Sequence, residues 1–141
     1  MVKRLFGALA ERAIDGGLRL KDGRFLFGPS KTIRGIVSSV IATTLVAPAV
    51  GLTFPTGGLI ALGAMTGDLI SSFIKRRVGL EPSSRATGLD QIPETLLPCL
   101  LLSTMVPLTL ADIVAVVLLF LGGEIIFSQA LFRAGIRDRP Y

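Results

Sequence analysis

Asp68, Ser72 and Lys75 recur at i, i+4 and i+7, which places them on one face of a helix. The residues around Asp68 are otherwise apolar, and an acid inside an apolar segment is costly enough to be a functional candidate. A salt link from Asp68 to Lys75 or Arg34 would be the purely architectural use. Asp90 stands just before the next apolar run, in Gly88-Leu-Asp90-Gln91. If the loop between them folds back, Asp90 meets Asp68. Two carboxylates with phosphates nearby make an oxygen-only Mg²⁺ site. Without a cation, apposed carboxylates would repel.

A second group of residues lies upstream. Glycine occurs at 16, 17, 23, 28 and 35, interleaved with Arg19, Lys21, Arg24, Lys31 and Arg34. Glycines let backbone N–H groups approach a phosphate, and Lys and Arg supply the countercharge. The run Gly28-Pro-Ser-Lys-Thr32 feeds the N-terminus of an apolar helix, a natural anion site. It lacks the G-x-x-x-x-G-K-[ST] spacing of a P-loop and no strand precedes it. The same residues would also serve as a basic loop touching lipid head groups. Glu124, after Gly122-Gly123, is either a third acid at the site or a helix-packing partner, with packing or a supporting place behind the site the preferred reading.

The absent residue types narrow the chemistry. The 141 residues contain no His and no Trp, and Cys99 is the only cysteine. That excludes imidazole general bases, His metal ligands and the Ser-His-Asp and Cys-His arrangements. It also excludes an intrachain disulfide, a cysteine zinc site and an iron–sulfur cluster. Cys99 itself reads as inert.

The elements that must position these residues are apolar. Half of the chain is hydrophobic and only 18% is charged, below the roughly 25% of soluble domains. Ile36–Phe54 and Thr95–Ala111 carry no charge, Gly58–Ile74 carries only Asp68 and Ile113–Phe132 only Glu124. Each is close to the length of a membrane-crossing helix. The expected fold is all-α and polytopic, a single domain over 1–141 with transmembrane helices at 36–54, 58–74, 95–111 and 113–132. A soluble four-helix bundle would show polar faces that the two uncharged runs lack. Pro48, Pro98 and Pro107 are expected to kink their helices.

All 15 basic residues fall within Lys3–Arg34, Lys75–Arg85 and Arg133–Arg139, while Pro55–Gly57 and Asp112 carry none. Under the positive-inside rule the loops 15–35 and 75–94 are cytoplasmic and the protein sits in the cell membrane. The net charge of +5 therefore points to the membrane surface, and no nucleic-acid partner is expected. Residues 2–14 lack the apolar core of a signal peptide. Leu5, Phe6, Leu9 and Ala13 instead suggest a short amphipathic helix on the membrane surface.

Three blocks resemble one family: Asp22-Gly-Arg24 with Phe27-Gly-Pro-Ser-Lys31-Thr-Ile-Arg34-Gly35; Gly67-Asp68 with Ser72-Phe-Ile-Lys75-Arg76; and Gly88-Leu-Asp90-Gln91. Their order and spacing over residues 22–91 are similar to the archaeal CDP-archaeol synthases. These CTP-dependent cytidylyltransferases of ether-lipid synthesis are distant relatives of bacterial CDP-diacylglycerol synthases. The resemblance implies that 2,3-bis-O-geranylgeranylglycerol 1-phosphate and CTP give a CDP-linked lipid and pyrophosphate. It implies Mg²⁺ on Asp68 and Asp90, and Lys75 in the catalytic set with them. Lys31, Arg34, Lys75 and Arg76 would neutralise phosphates, and Ser30, Thr32, Gly35, Ser72 and Gln91 would make polar contacts to nucleotide or lipid. Partners would be CTP, the lipid phosphate and membrane lipids, and a homo-oligomer is compatible with this reading. It further implies a transmembrane helix ahead of the first loop, whereas residues 1–14 hold nothing long enough to span.

Three rivals remain. A CDP-alcohol phosphotransferase would need a D-G-x-x-A-R signature, which does not follow Asp22-Gly23. A small transporter or channel would want its acid at mid-membrane, yet Asp68 lies seven residues before Lys75, about 10 Å along a helix. A lipid-binding scaffold would tolerate loss of Asp68.

Overall fold

The computed structural model describes residues 12–82, 84 and 86–133. Among them the architecture is four α-helices and a short 3₁₀ turn, with no strand. The amphipathic segment expected at Leu5, Phe6 and Leu9 and the basic Arg85, Arg137 and Arg139 lie outside the described residues.

Helix α1, Ile33–Val46, starts at Thr32, whose side chain accepts the N–H of Gly35, an N-cap of the usual kind. Pro48 cannot continue the ladder, and the chain tightens into a 3₁₀ turn over Ala47–Val50. Helix α2, Phe54–Val78, is capped by Thr53, with Pro55 in its first turn, where a missing N–H costs nothing. Pro55–Gly57, expected as a connection, is therefore the first turn of α2. Lys75, Arg76 and Arg77 occupy its last turn, where cations complement the helix dipole. Gly79, at φ 90°, stops the helix in the left-handed conformation.

Helix α3 spans Gln91–Leu102 and α4 spans Leu110–Arg133. Residues 95–111, expected as one crossing, divide into most of α3, a turn and the first two residues of α4. Ser103 and Thr104 bend their hydroxyls back onto the carbonyls of Leu100 and Leu101 as α3 ends. The start of α4 at Leu110 comes from a reciprocal cap. Thr109 N–H donates to Asp112 Oδ2 at 2.8 Å and Asp112 N–H to Thr109 Oγ1 at 3.2 Å. Asp112 is thus the third residue of α4 and not a one-residue connection. Pro98 lies inside α3 and Pro107 in the turn, outside any helix.

Ile33–Val50, Phe54–Val78 and Leu110–Arg133 are long and apolar enough to cross a membrane; α3, with 12 residues, is the shorter fourth apolar helix. At 1.5 Å per residue α3 reaches about 18 Å, short of a ~30 Å hydrocarbon layer. The burial pattern is that of a membrane protein. Ser71, Ser72, Lys75, Arg76, Gln91, Thr95 and Ser128 are buried, whereas Leu45, Leu110, Leu119 and Ile126 are more than 60% exposed. Lipid covers what a soluble fold would bury.

Helix α2 is the hub, packing most extensively on α3 and also on α1, and α4 lies against α3. The α2–α3 contact runs through Gly63 and Gly67, one turn apart. A Cβ on Gly63 would come within 2.9 Å of Pro98 backbone, and one on Gly67 would overlap the Pro93 carbonyl and reach 2.6 Å from Glu94 Cα. This is close backbone approach through small residues, as membrane helices commonly use.

Candidate functional site

The first loop is held in shape by Asp15. Its Oδ2 accepts the N–H groups of Phe27 at 2.9 Å and Gly28 at 3.1 Å, and its Oδ1 accepts that of Gly17 at 2.9 Å. Partial burial pushes the Asp15 carboxyl up, but the N–H donors of Phe27, Gly17 and Gly28 outweigh it and hold the group below its ordinary range. The loop is then tied to the end of α2. Arg24 Nη1 donates to the carbonyls of Arg76 and Arg77, at 3.3 and 2.5 Å, so that orphan carbonyls of the last turn are satisfied. In return Arg77 pairs with Asp22 and donates to the Phe25 carbonyl at 2.6 Å. The Arg24 N–H and the Arg77 guanidinium hold the Asp22 carboxyl below its usual range.

This docking carries Lys31 to α2. Its ammonium bridges both oxygens of Asp68, at 2.6 Å from Oδ1. One and two turns along, on the same face, come Ser72 and Lys75. Lys75 is 7% exposed, and its Nζ reaches Asp90 Oδ1 at 2.8 Å and the Ser84 carbonyl at 2.8 Å. Asp90 is fixed from its other oxygen, which accepts the Ala86 N–H at 3.1 Å. Beside it Gln91 accepts the Gly88 N–H at 2.6 Å and donates to Glu124 of α4.

Together these groups enclose a cavity of about 270 Å³ lined by Ser30, Lys31, Asp68, Ser72, Lys75, Arg76, Asp90 and Glu124, with Phe27 and Ser84 completing the wall. The loop does fold back, so Asp68 and Asp90 face one space. Asp68 is paired with Lys31, 37 residues away, and not with Lys75. Arg76 is 4% exposed. Its Nη2 donates to the Glu81 carbonyl at 2.7 Å, while Nε and Nη1 have no partner among the described residues. A buried guanidinium in that condition is a strong attractor for anionic oxygen.

Four of the sequence candidates stand apart from this cavity wall. Thr32 and Gly35 cap α1, and Arg34 is exposed in its first turn. Gln91 sits behind Glu124. The sequence reading passed over Glu94, whose charge interacts with those of Asp68, Glu124, Lys31 and Asp90. Its place in the α3 first turn, four residues after Asp90, was the available signal. It also passed over the Gly63/Gly67 pair, whose G-x-x-x-G spacing was the signal for close helix packing.

Among the described residues no group of three or more His, Cys, Asp or Glu is arranged to hold a metal. Asp68 and Asp90 nonetheless form a two-carboxylate, oxygen-only donor set on one cavity. That suits Mg²⁺, which commonly takes one or two carboxylates and completes its shell from phosphates and water.

A family model described as CarS-like, CDP-archaeol synthase, matches residues 49–141. The CDP-archaeol synthase of Pyrococcus furiosus is 46% identical over 88 residues, covering 55% of this chain and 53% of that protein. That of Methanopyrus kandleri is 43% identical over 94 residues, again covering 53% of the relative. The chain thus spans about half the length of these relatives. The CDP-archaeol synthase of Sulfolobus acidocaldarius is 34% identical over 134 residues, covering 91% of this chain and 82% of that protein. A solved structure of an intramembrane enzyme for archaeal membrane lipids biosynthesis superposes with a TM-score of 0.62 at 35% identity, covering 82% of this chain and 80% of that one.

Proposed function

This chain belongs to the CDP-archaeol synthase family, and on that premise we propose that it transfers the cytidylyl group of CTP to an unsaturated ether-lipid phosphate, 2,3-bis-O-geranylgeranylglycerol 1-phosphate. The products are the CDP-linked lipid and pyrophosphate. The observation that carries this reading is the 270 Å³ cavity at the basic end of α2, where Lys31, Asp68, Lys75 and Asp90 converge from three segments. The relatives are synthases, and the transporter alternative gains nothing from them.

The chemistry asks for little proton handling. The lipid phosphate is already an anion at neutral pH, so it attacks without a general base. The barrier is electrostatic, since an anion must approach the α-phosphate of a polyanion. Lys31, Lys75 and Arg76 are positioned to counter that charge, Ser30 and Ser72 to donate to phosphate oxygens, and Asp90 to fix Lys75. Asp68 and Asp90 would hold Mg²⁺, which when bound supplies charge neutralisation and Lewis-acid polarisation. The exposed apolar faces of the helices let the prenyl chains stay in the bilayer while the head group enters the cavity. The basic loops would lie on the cytoplasmic side of the cell membrane, where CTP is available.

The test is transfer of label from α-labelled CTP to a synthetic unsaturated ether-lipid phosphate by purified protein in detergent. Mg²⁺-dependent labelled lipid is the expected result. Asp68→Asn and Asp90→Asn should each lower turnover by more than tenfold, about 1.4 kcal/mol in barrier. Folded protein that makes no product would refute the reading, and wild-type rates in both variants would refute the roles of the two acids.

A further inference from the structure

Arg76 borders a second cavity, of about 330 Å³, whose charged wall is completed by Arg19, Arg24 and Glu81. Three arginines and one glutamate therefore line it. Arg24 is anchored there by its bonds to the α2 carbonyls. Arg19 is held by its stacking over Phe25, 3.9 Å from the ring centroid, and by donation to the Gly23 carbonyl at 2.8 Å. The buried Arg76, with Nε and Nη1 lacking a partner among the described residues, is common to both cavities. Guanidinium groups match phosphate oxygens in geometry and are always charged. The two cavities differ in kind: the first balances acids against lysines, whereas the second is dominated by arginine.

We propose that the arginine cavity receives the β- and γ-phosphates of the nucleotide and retains them as pyrophosphate after transfer, a division of the site that rests on the cytidylyltransferase reading. The α-phosphate then lies in the first cavity, on the near side of Arg76. A lipid-phosphate oxygen forms its bond to the α-phosphorus as the bond from that phosphorus to the oxygen bridging to the β-phosphorus breaks. The bridging oxygen keeps the electron pair and leaves as part of pyrophosphate, and no proton moves in the exchange. Arg76 spans the bond that breaks, and Arg19 and Arg24 hold the departing charge.

Arg19 tests this division, because it borders only the second cavity. With the full chain in detergent, Arg19→Gln should raise the pyrophosphate concentration for half-inhibition by about tenfold, the value of one hydrogen-bonded charge. The KM for CTP should rise in parallel. Inhibition by CMP, which has no β- or γ-phosphate, should stay within about twofold of wild type. Arg19→Lys, which keeps the charge but not the fork, should fall between the two and serves alone if the Gln variant does not fold. Unchanged inhibition by pyrophosphate would overturn the proposal, as would equal losses for pyrophosphate and CMP. Calorimetry with inorganic pyrophosphate alone separates the two readings. Arg19-dependent binding by a protein that transfers nothing would support the polyanion cavity and overturn the transferase reading. Active transfer with Arg19-independent pyrophosphate binding would overturn the cavity alone.

Discussion

Gly67→Ala is the substitution whose consequence the geometry fixes most tightly. The added methyl would overlap the Pro93 carbonyl and stand 2.6 Å from Glu94 Cα, where ordinary contact begins near 3.4 Å. Those atoms are backbone and cannot rotate away, so α3 must retreat from α2 by about 1 Å. Overpacking of this kind costs ~1–3 kcal/mol. Better helix propensity returns up to ~1 kcal/mol, so the net loss of stability is modest. The functional loss should be larger. Asp90 is the N-cap residue immediately before α3 and Asp68 follows Gly67, so the retreat separates the two acids and strains the Lys75–Asp90 pair. Misplacement on the order of 1 Å at a reacting centre costs about a hundredfold in rate. The assay is cytidylyl transfer together with thermal melting in detergent. Gly122→Ala and Gly123→Ala are the controls, since a Cβ there meets nothing within 4 Å, and both should melt at or slightly above wild type with full activity. Wild-type turnover in folded Gly67→Ala would refute the argument that close α2–α3 packing sets the site.

Thr32→Ala should destabilise the start of α1 by about 1 kcal/mol and leave the KM for CTP within about twofold, because its hydroxyl is spent on the Gly35 N–H; a large KM change with unchanged melting would return Thr32 to the phosphate contacts. Asp15→Asn should loosen the first loop with a definite pH dependence. The Asp15 carboxyl is held below its ordinary range when folded, so its contribution is complete above the unfolded value near 3.9 and disappears as pH falls through the lower folded value. The melting difference between wild type and Asp15→Asn should therefore be full at pH 7 and shrink below about pH 4, and a difference that grew on acidification would contradict the assignment.

The membrane helices were legible because charge-free runs of crossing length have few other uses. The shared face of Asp68, Ser72 and Lys75 was legible for the same kind of reason, being a property of one helix. Partners from other elements were not. Lys31 reaches Asp68 only because Arg24 and Arg77 dock the first loop on the last turn of α2, and no local pattern encodes a contact between residues 37 apart. Helix ends suffered in another way. Hydropathy runs smoothly across Thr95–Ala111, while the break after Leu102 depends on hydroxyls folding back and on the Thr109–Asp112 cap. A reading for capping boxes would have found the second of these.

The charge balance of the first cavity ties these strands together. Lys31, Lys75 and Arg76 face Asp68, Asp90 and Glu124, so the wall is close to neutral before any substrate arrives. Buried ions are tolerable in that state because each lysine already has its carboxylate. The same pairing leaves the first cavity without surplus positive charge for a triphosphate. Under the proposed function two features would answer that shortage. A divalent cation taken by the carboxylates would leave Lys31 and Lys75 free to turn to phosphate, and the cavity beyond Arg76 is lined by three arginines against one glutamate. On this argument the acids are as necessary to anion binding as the bases. Removing Asp68 or Asp90 should weaken CTP binding even though it makes the cavity more positive, the reverse of what simple charge attraction predicts.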